Sequence, residues 1–329
     1  MIDEARTSTS IPPLRESELE EADRIFRLAF GTFLGLPEAL TFMGDAGYVR
    51  TRWQADPASA FAAEVDGELV GSNSATDWGS VGFFGPVSVR PDLWDKGAGA
   101  RLVEPALERL AEWGIEHAGL FTWSHSPKHT YIYQKFGFWA RFLTAIMSKS
   151  VVERLMLGED KPESQWSRFS ALAEEDREDT LEACRELTGA VYDGLDVSGE
   201  IRAVASKGLG DTVLLRDDSG LTGFAVCHFG AGTEAGSGAC YVKFGAIRPG
   251  QDAGRNFERL LDVCEALAAA EGLQVLIAGA NMCRHEAYRA LLARGFHIEI
   301  QGVTMHRPNE PGYNRPGVYI HRRLALTDP

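Results

Sequence analysis

The sequence predicts a mixed α/β protein built twice over, a sheet with flanking helices followed by a second unit of the same plan. Three observations predict it. Apolar residues switch along the chain between strand-like alternation and the 3–4 spacing of a buried helix face. The length of 329 residues holds two units of about 150 residues each. Finally, the order of strands, helices and hairpin turns in the first half returns in the second, an internal repeat of about 155 residues with little literal identity.

The elements of the first half follow in order. Residues 11–14 read as a short strand. Ser17 is the expected cap of a helix running to about Phe30, with Glu18, Glu20 and Glu21 in its first turn, where the macrodipole favours acids. Leu19, Ala22, Ile25, Phe26 and Ala29 form its buried face. Residues 31–47 are a loop with apolar anchors, and a short helix follows over 48–55. Strands over 60–65 and 68–72 flank Asp66-Gly67, a hairpin signal. Residues 80–89 are apolar and read as one strand, followed by a helix to about Trp113, a buried strand over 119–123, a helix over 127–135 ended by Gly137, and a strand over 142–148.

Residues 151–166, with Gly, Pro and clustered charge, read as a linker between a unit over 1–150 and one over 167–329. The plan then repeats: strand 168–172, helix 173–195, helix 198–206, a hairpin of strands 212–215 and 221–228, strand 241–247, helix 254–270, strand 274–278, helix 286–294 and strand 296–301.

Composition excludes several classes. Hydrophobic residues make up 44% and charged residues 24%, which is globular rather than disordered. Mean hydropathy is -0.16, and no apolar run of about 18 residues predicts a membrane span. The polar, acidic start does not read as a secretory signal. Net charge is -14, with acids in excess in both halves, a field that repels nucleic acid and anionic membrane and attracts cations. Cys184, Cys227, Cys240, Cys264 and Cys283 lack zinc-site spacing and read as reduced core thiols of a cytoplasmic protein. No metal site is expected.

The chemistry concentrates in residues 87–138. Val87, Ser88 and Val89 end a strand; Pro91, Trp94, Asp95, Lys96, Gly97, Ala98, Gly99 and Ala100 make a glycine-containing turn into a helix. Successive N–H groups at a helix N-terminus bind anions, and glycine lets a phosphate approach the backbone. One strand later comes His129-Thr-Tyr131-Ile132-Tyr133-Gln-Lys135-Phe136-Gly137-Phe138.

These two segments, in this order, resemble the motifs of the GNAT superfamily of acyl-CoA-dependent N-acetyltransferases. The first family motif, V-x-V-x-P-x-x-[QR]-x-x-G-x-[GA], is matched by Val87, Val89, Pro91, Gly97 and Gly99, with Trp94 in place of Gln or Arg. The second, L-Y-x-K-x-G-F, is matched by Ile132, Tyr133, Lys135, Gly137 and Phe138. The resemblance covers about residues 11–149. It implies two tandem GNAT folds, each a predominantly antiparallel sheet with flanking helices. It also implies acetyl-CoA as co-substrate and transfer of acetyl to a primary amine by direct attack in a ternary complex. The pantetheine arm would lie along residues 86–89 and the pyrophosphate on the amides of 96–100, with Ser126 and Lys128 near the arm. Tyr133 would be the general acid that protonates the leaving thiolate, a role that suits a phenol.

The general base stays open between Asp77, His125, a water chain and, as in some aminoglycoside acetyltransferases of the family, the C-terminal carboxylate, here Pro329. The second half reads as a degenerate copy. Residues 245–256 keep Gln251 and Gly254 of the cofactor motif but carry Asn256 at the second glycine, and Leu291 stands where the acid would be. Aromatic residues in the loops 31–47 and 73–85 and the tail 302–317 either shape a pocket for a ring-bearing acceptor or pack the two units together. Asp45, Asp77 and Glu38 are candidates to hold a cationic amine. The expected partner is a small-molecule amine, with no nucleic acid and no membrane, for a monomer or homodimer. The competing expectations are an inactive acyl-CoA-binding or regulatory module, or transfer of another acyl group.

Overall fold

The computed structural model describes residues 9–151, 166–312 and 320–322. In the first half the elements are β1 (Thr9–Ser10), α1 (Leu19–Phe33), α2 (Tyr48–Ala55), β2 (Ala60–Val65), β3 (Glu68–Trp78), β4 (Val81–Phe84), β5 (Ser88–Val89), α3 (Ala98–Glu112), β6 (His117–Trp123), α4 (Pro127–Gln134) and β7 (Trp139–Ser150). In the second they are β8 (Trp166–Arg168), α5 (Glu174–Val191), α6 (Ser198–Lys207), β9 (Gly210–Asp217), β10 (Gly220–Gly230), β11 (Gly236–Ile247), α7 (Ala253–Ala270), β12 (Val275–Asn281), α8 (His285–Ala293), β13 (His297–Arg307) and β14 (Ile320–Arg322).

The five apolar positions expected to face inward from α1 are all buried. Ser17 is not its cap. A 3-10 turn over Glu16–Glu18 precedes the helix, and the Glu18 carboxylate reaches back to accept the Arg15 N–H at 2.8 Å. The regular first strand is Thr9–Ser10, and the expected strand over 11–14 pairs with β2 only irregularly, Pro13 bridging Phe61 and the Leu14 N–H donating to the Ala60 carbonyl at 2.9 Å, because Pro12 and Pro13 have no N–H to give a ladder. The run 80–89 is two strands, not one. The expected strand over 168–172 is confined to Trp166–Arg168, with a 3-10 turn after it. Four cysteines are buried as expected, whereas Cys283 is exposed in the turn after β12.

Both halves share one sheet, in the order β1-β2-β3-β4-β6-β13-β7-β12-β11-β10-β9-β8. The described pairs are antiparallel except β4 with β6 and β11 with β12. The final strand of each half is exchanged. β13 lies between β6 and β7, with Val303 opposite Thr122 on one side and Leu143 on the other. β7 in turn pairs with β12 of the second half, Ala278 opposite Met147. One core cluster spans both halves, joining Phe26, Phe30, Trp78 and Phe83 to Phe224 and Phe244, with the Trp78 and Phe244 rings 5.3 Å apart.

The junction carries a buried ionic chain. The Arg52 guanidinium of α2 lies 3.2 Å from Glu234, in the loop between β10 and β11. Lys243 of β11 lies 3.0 Å from Glu234 and 2.8 Å from Glu200 of α6, and His228 is 3.4 Å from Glu200. The side chains of all five are nearly sealed from solvent. Two cations face two carboxylates, which makes this burial affordable: a single buried charge without a partner is strongly destabilising.

Burial alone would raise the Glu200 carboxyl, but Lys243 and His228 overcome it and hold it at about 2. Arg52 and Lys243 likewise overcome burial at Glu234 and keep it well below the ordinary range. Carboxyls lowered by folding stabilise the folded state above their unfolded value, and that contribution is lost as pH falls through the folded value. The melting temperature is therefore expected to fall steeply between the ordinary carboxyl value of 4.5 and about 2, and less steeply in Glu200→Gln. Thermal melts across this range check it; parallel pH profiles for the two proteins would contradict it.

Candidate functional site

The cleft of the first half starts where two neighbouring strands part. β4 pairs in parallel with β6 from Val81 to Phe83, opposite His117 to Gly119. Beyond that point the chain leaves β6 but stays on β3, its antiparallel partner since Val81, so that Ser88 faces Ser72 and Val89 faces Gly71. Gly85 makes the departure with φ +122°, a conformation that L side chains rarely adopt. Ser74 fastens it twice: the Gly85 N–H donates to the Ser74 carbonyl at 2.8 Å, and Ser74 Oγ donates to the Gly85 carbonyl at 2.9 Å. Arg52 Nη1 donates to the same carbonyl at 2.5 Å.

The strand then feeds the turn. The Arg90 N–H donates to the Val70 carbonyl at 2.8 Å, so the alternation of a strand turns the N–H and C=O of Val89 away from β3. Trp94 Nε1 donates to the Val89 carbonyl at 2.7 Å, so this indole, in the position of a polar family residue, works as a hydrogen-bonded clasp. Asp95 takes φ +64°, and Gly97 caps α3 with φ +89°. A Cβ at Gly97 would meet nothing within 4 Å, so the turn faces open space. Arg101 is the first residue of α3 to donate back to the turn, at 3.2 Å to the Gly97 carbonyl. Among the described residues, the N–H groups of Ala98, Gly99 and Ala100 have no acceptor, leaving an anion cradle. Lys128, in the first turn of α4, closes the rim with an ion pair of 2.8 Å to Asp95 and lies 5.8 Å from the Trp94 ring centre. Lys96 is exposed beside it.

α4 is capped by Ser126, whose hydroxyl accepts the His129 N–H, and begins with Pro127. His129 and Tyr133, four residues apart, both point inward. Tyr133 is buried in one cluster with Phe84, Val87, Val89 and Ala98, its ring 5.9 Å from Phe84. At the end of β6, Phe33 from α1 meets Trp123, His125 and His129 at ring distances of 5.7, 5.7 and 4.9 Å. His125 is exposed at this mouth.

The structure thus brings together Val87, Ser88, Val89, Trp94 to Ala100, Ser126, Lys128 and Tyr133, with His125 at the edge. Asp77 lies elsewhere. It stands opposite Gly82, at the hairpin end of β3 and β4, a strand's length from the parting point. Its carboxylate accepts the Gly79 N–H at 2.8 Å, and burial together with Asp196 and Asp56 raises its pKa. This end of the sheet meets the second half, where Gly79 bridges to Leu195. Asp45 is also engaged at the junction, accepting Ser237 N–H at 2.8 Å and Ser237 Oγ at 2.6 Å. Neither aspartate faces the cleft. Trp78 and Phe83 pack the junction, while Phe33 faces the cleft mouth. Pro329 and residues 313–317 lie outside the described residues.

The second half repeats the geometry and closes it. Ala239 to Tyr241 pair with Val275 to Ile277 as Val81 to Phe83 pair with His117 to Gly119, which makes Lys243 the counterpart of Gly85. β11 parts from β12 at the same register, since their parallel pairing ends at Tyr241 and Ile277, and its ladder with β10 bulges at Lys243; here β14 takes the freed edge: Phe244 with Arg322, Gly245 with His321, Ala246 with Ile320. The chain's own strand takes the edge that the first half leaves open. Asp252, a carboxylate, stands at the N-cap of α7, and Leu291 is buried at the counterpart of Tyr133.

Arg52 went unremarked as a site residue. Its signal was present: α2 places Tyr48, Val49 and Arg52 at 3–4 spacing on one face, and all three are buried. For the clasp, Trp94→Phe keeps the ring and removes the donor, leaving the Val89 carbonyl without its bond. A loss of about 1 kcal/mol in urea unfolding is expected; unchanged stability would contradict the clasp.

Residues 24–138 match the family model described as acetyltransferase (GNAT) family. No curated protein matches the chain. Among solved structures, a GCN5-related N-acetyltransferase from Sphaerobacter thermophilus matches over 96% of this chain and 98% of its own, with TM-score 0.58 and 14% identity. A protein from Pyrococcus horikoshii matches over 92% and 90%, with TM-score 0.65 and 14% identity. A tandem GNAT protein from the clavulanic acid biosynthesis pathway matches over 91% and 98%, with TM-score 0.52 and 12% identity. Fold and motif coincide: the chain carries a domain of the GNAT acetyltransferase family in its first half and is built throughout as a tandem GNAT fold.

Proposed function

We propose that the chain is an N-acetyltransferase that uses acetyl-CoA and works in its first half. The observation that carries this is the open parting between residues 86–89 and β6, leading without interruption to the cradle at α3. The residues fit the co-substrate: Gly97 leaves the turn open, and the amides of Ala98, Gly99 and Ala100 suit a pyrophosphate. Lys96 and Lys128 add positive charge at the rim. The backbone of 87–89 offers an edge for the pantetheine amides. Acetyl-CoA, when bound, supplies an acyl group activated as a thioester.

The chain's own groups then move protons. Tyr133, at the base of the parting, donates its phenolic proton to the departing sulfur. An amine near neutral pH must lose a proton before it attacks, and His125 at the mouth is the side chain placed to accept it, directly or through water. Phe33 and His125, stacked at 5.7 Å, offer ring surface at the mouth over the buried Trp123 and His129, which favours a small primary amine with a ring or apolar body. The second half shapes the cleft from behind and, among the described residues, β14 occupies the edge where an acyl-CoA arm would lie.

The test is thiol release from acetyl-CoA with a panel of arylalkylamines, polyamines, aminosugars and peptides. Turnover with a ring-bearing primary amine is expected, and Tyr133→Phe should lower kcat by about 10²-fold while acetyl-CoA affinity holds. No thiol release with any amine, or full kcat in Tyr133→Phe, would overturn the proposal.

A further inference from the structure

The cleft depends on one backbone position. Gly85 is where the chain leaves β4, so the place of its carbonyl sets how far residues 86–89 stand from β6. That carbonyl accepts two donors, Ser74 Oγ of the neighbouring strand and Arg52 Nη1 of α2. The bond from Arg52 is charge-assisted and buried, the stronger kind.

A guanidinium is expensive to bury, and among the described residues no ion partner from the first half balances this one. The described ion partner of Arg52 is Glu234, from the second half. The loop bearing Glu234 is held against α2 and the segment before it. The Gly47 N–H donates to the Thr233 carbonyl at 2.8 Å, and the Gly232 N–H donates to the Asp45 carbonyl at 3.0 Å. Glu234 is also held by Lys243, the residue that occupies in the second half the place Gly85 occupies in the first. The two corresponding points of the sheet are therefore joined through Arg52 and Glu234.

We infer that Arg52 is a positioning residue of the cleft: held by Glu234 of the second half, it fixes the Gly85 carbonyl and thereby the edge on which the acyl-CoA arm lies. The second half then has a stated part in the reaction without binding acyl-CoA itself. This inference rests on the function proposed above.

A purely structural role and a positioning role separate by charge. Arg52→Met leaves two buried carboxylates against one lysine and should lower both melting temperature and acetyl-CoA affinity. Arg52→Met/Glu234→Gln leaves Lys243 balanced by Glu200, so its melting temperature should recover most of the loss. The Gly85 carbonyl still lacks its charged donor, so acetyl-CoA affinity by calorimetry should stay about tenfold below wild type. Wild-type affinity in the charge-balanced double variant would reduce Arg52 to charge balance and overturn the inference alone. Wild-type protein that does not bind acetyl-CoA would overturn the proposed function and the inference with it. The double variant keeps the test decisive if Arg52→Met does not fold.

Discussion

The exchange of the last strands constrains everything else in this molecule. β13 closes the sheet of the first half between β6 and β7, and β7 closes the sheet of the second against β12. β13 is paired on both edges over 302–306 and β7 over 144–148, so neither half has a complete sheet without the other. The exchange also places the β10–β11 loop of the second half under α2 of the first, where Glu234 meets Arg52. The sequence repeat is thus a repeat of plan, and its two units are interlocked in space.

From that frame the asymmetry of the halves follows. The two share a parallel pair of strands and a following helix in the same register. In the first half a glycine with positive φ takes the chain off the parallel line, and no described strand pairs along the vacated edge. In the second, Lys243 stands at that position in a bulge of the β10–β11 ladder, β11 likewise leaves β12, and β14 lies along the vacated edge. Both halves break the parallel pairing at the same register, and what separates the open edge from the covered one is β14. The same lysine, turned inward, helps to balance the charges at the junction.

Much of this was legible in the residues. The α1 face emerges from 3–4 spacing, and the hairpin over Asp66-Gly67 from its turn chemistry. The cradle and Tyr133 were legible because their motifs are local. The break at Gly85 was not: every residue from 80 to 89 is small or apolar, and side-chain pattern carries no record of a backbone that leaves β6 while it stays on β3. The strand exchange was hidden for a related reason, since either register buries the same apolar residues. Asp77 looked like a base because it precedes the cofactor strand, but β3 and β4 run antiparallel, and precedence in the chain put it at the far end. Arg52 was hidden by its partner, which lies 182 positions away.

The central claim is a single acyl-CoA site, in the first half. Calorimetric titration of acetyl-CoA into the wild type, Gly97→Asp and Gly254→Asp tests it most directly, because a carboxylate at either turn repels the pyrophosphate. The account predicts one site per chain, lost in Gly97→Asp and kept in Gly254→Asp. Two sites in the wild type, or loss of binding in Gly254→Asp alone, would contradict it.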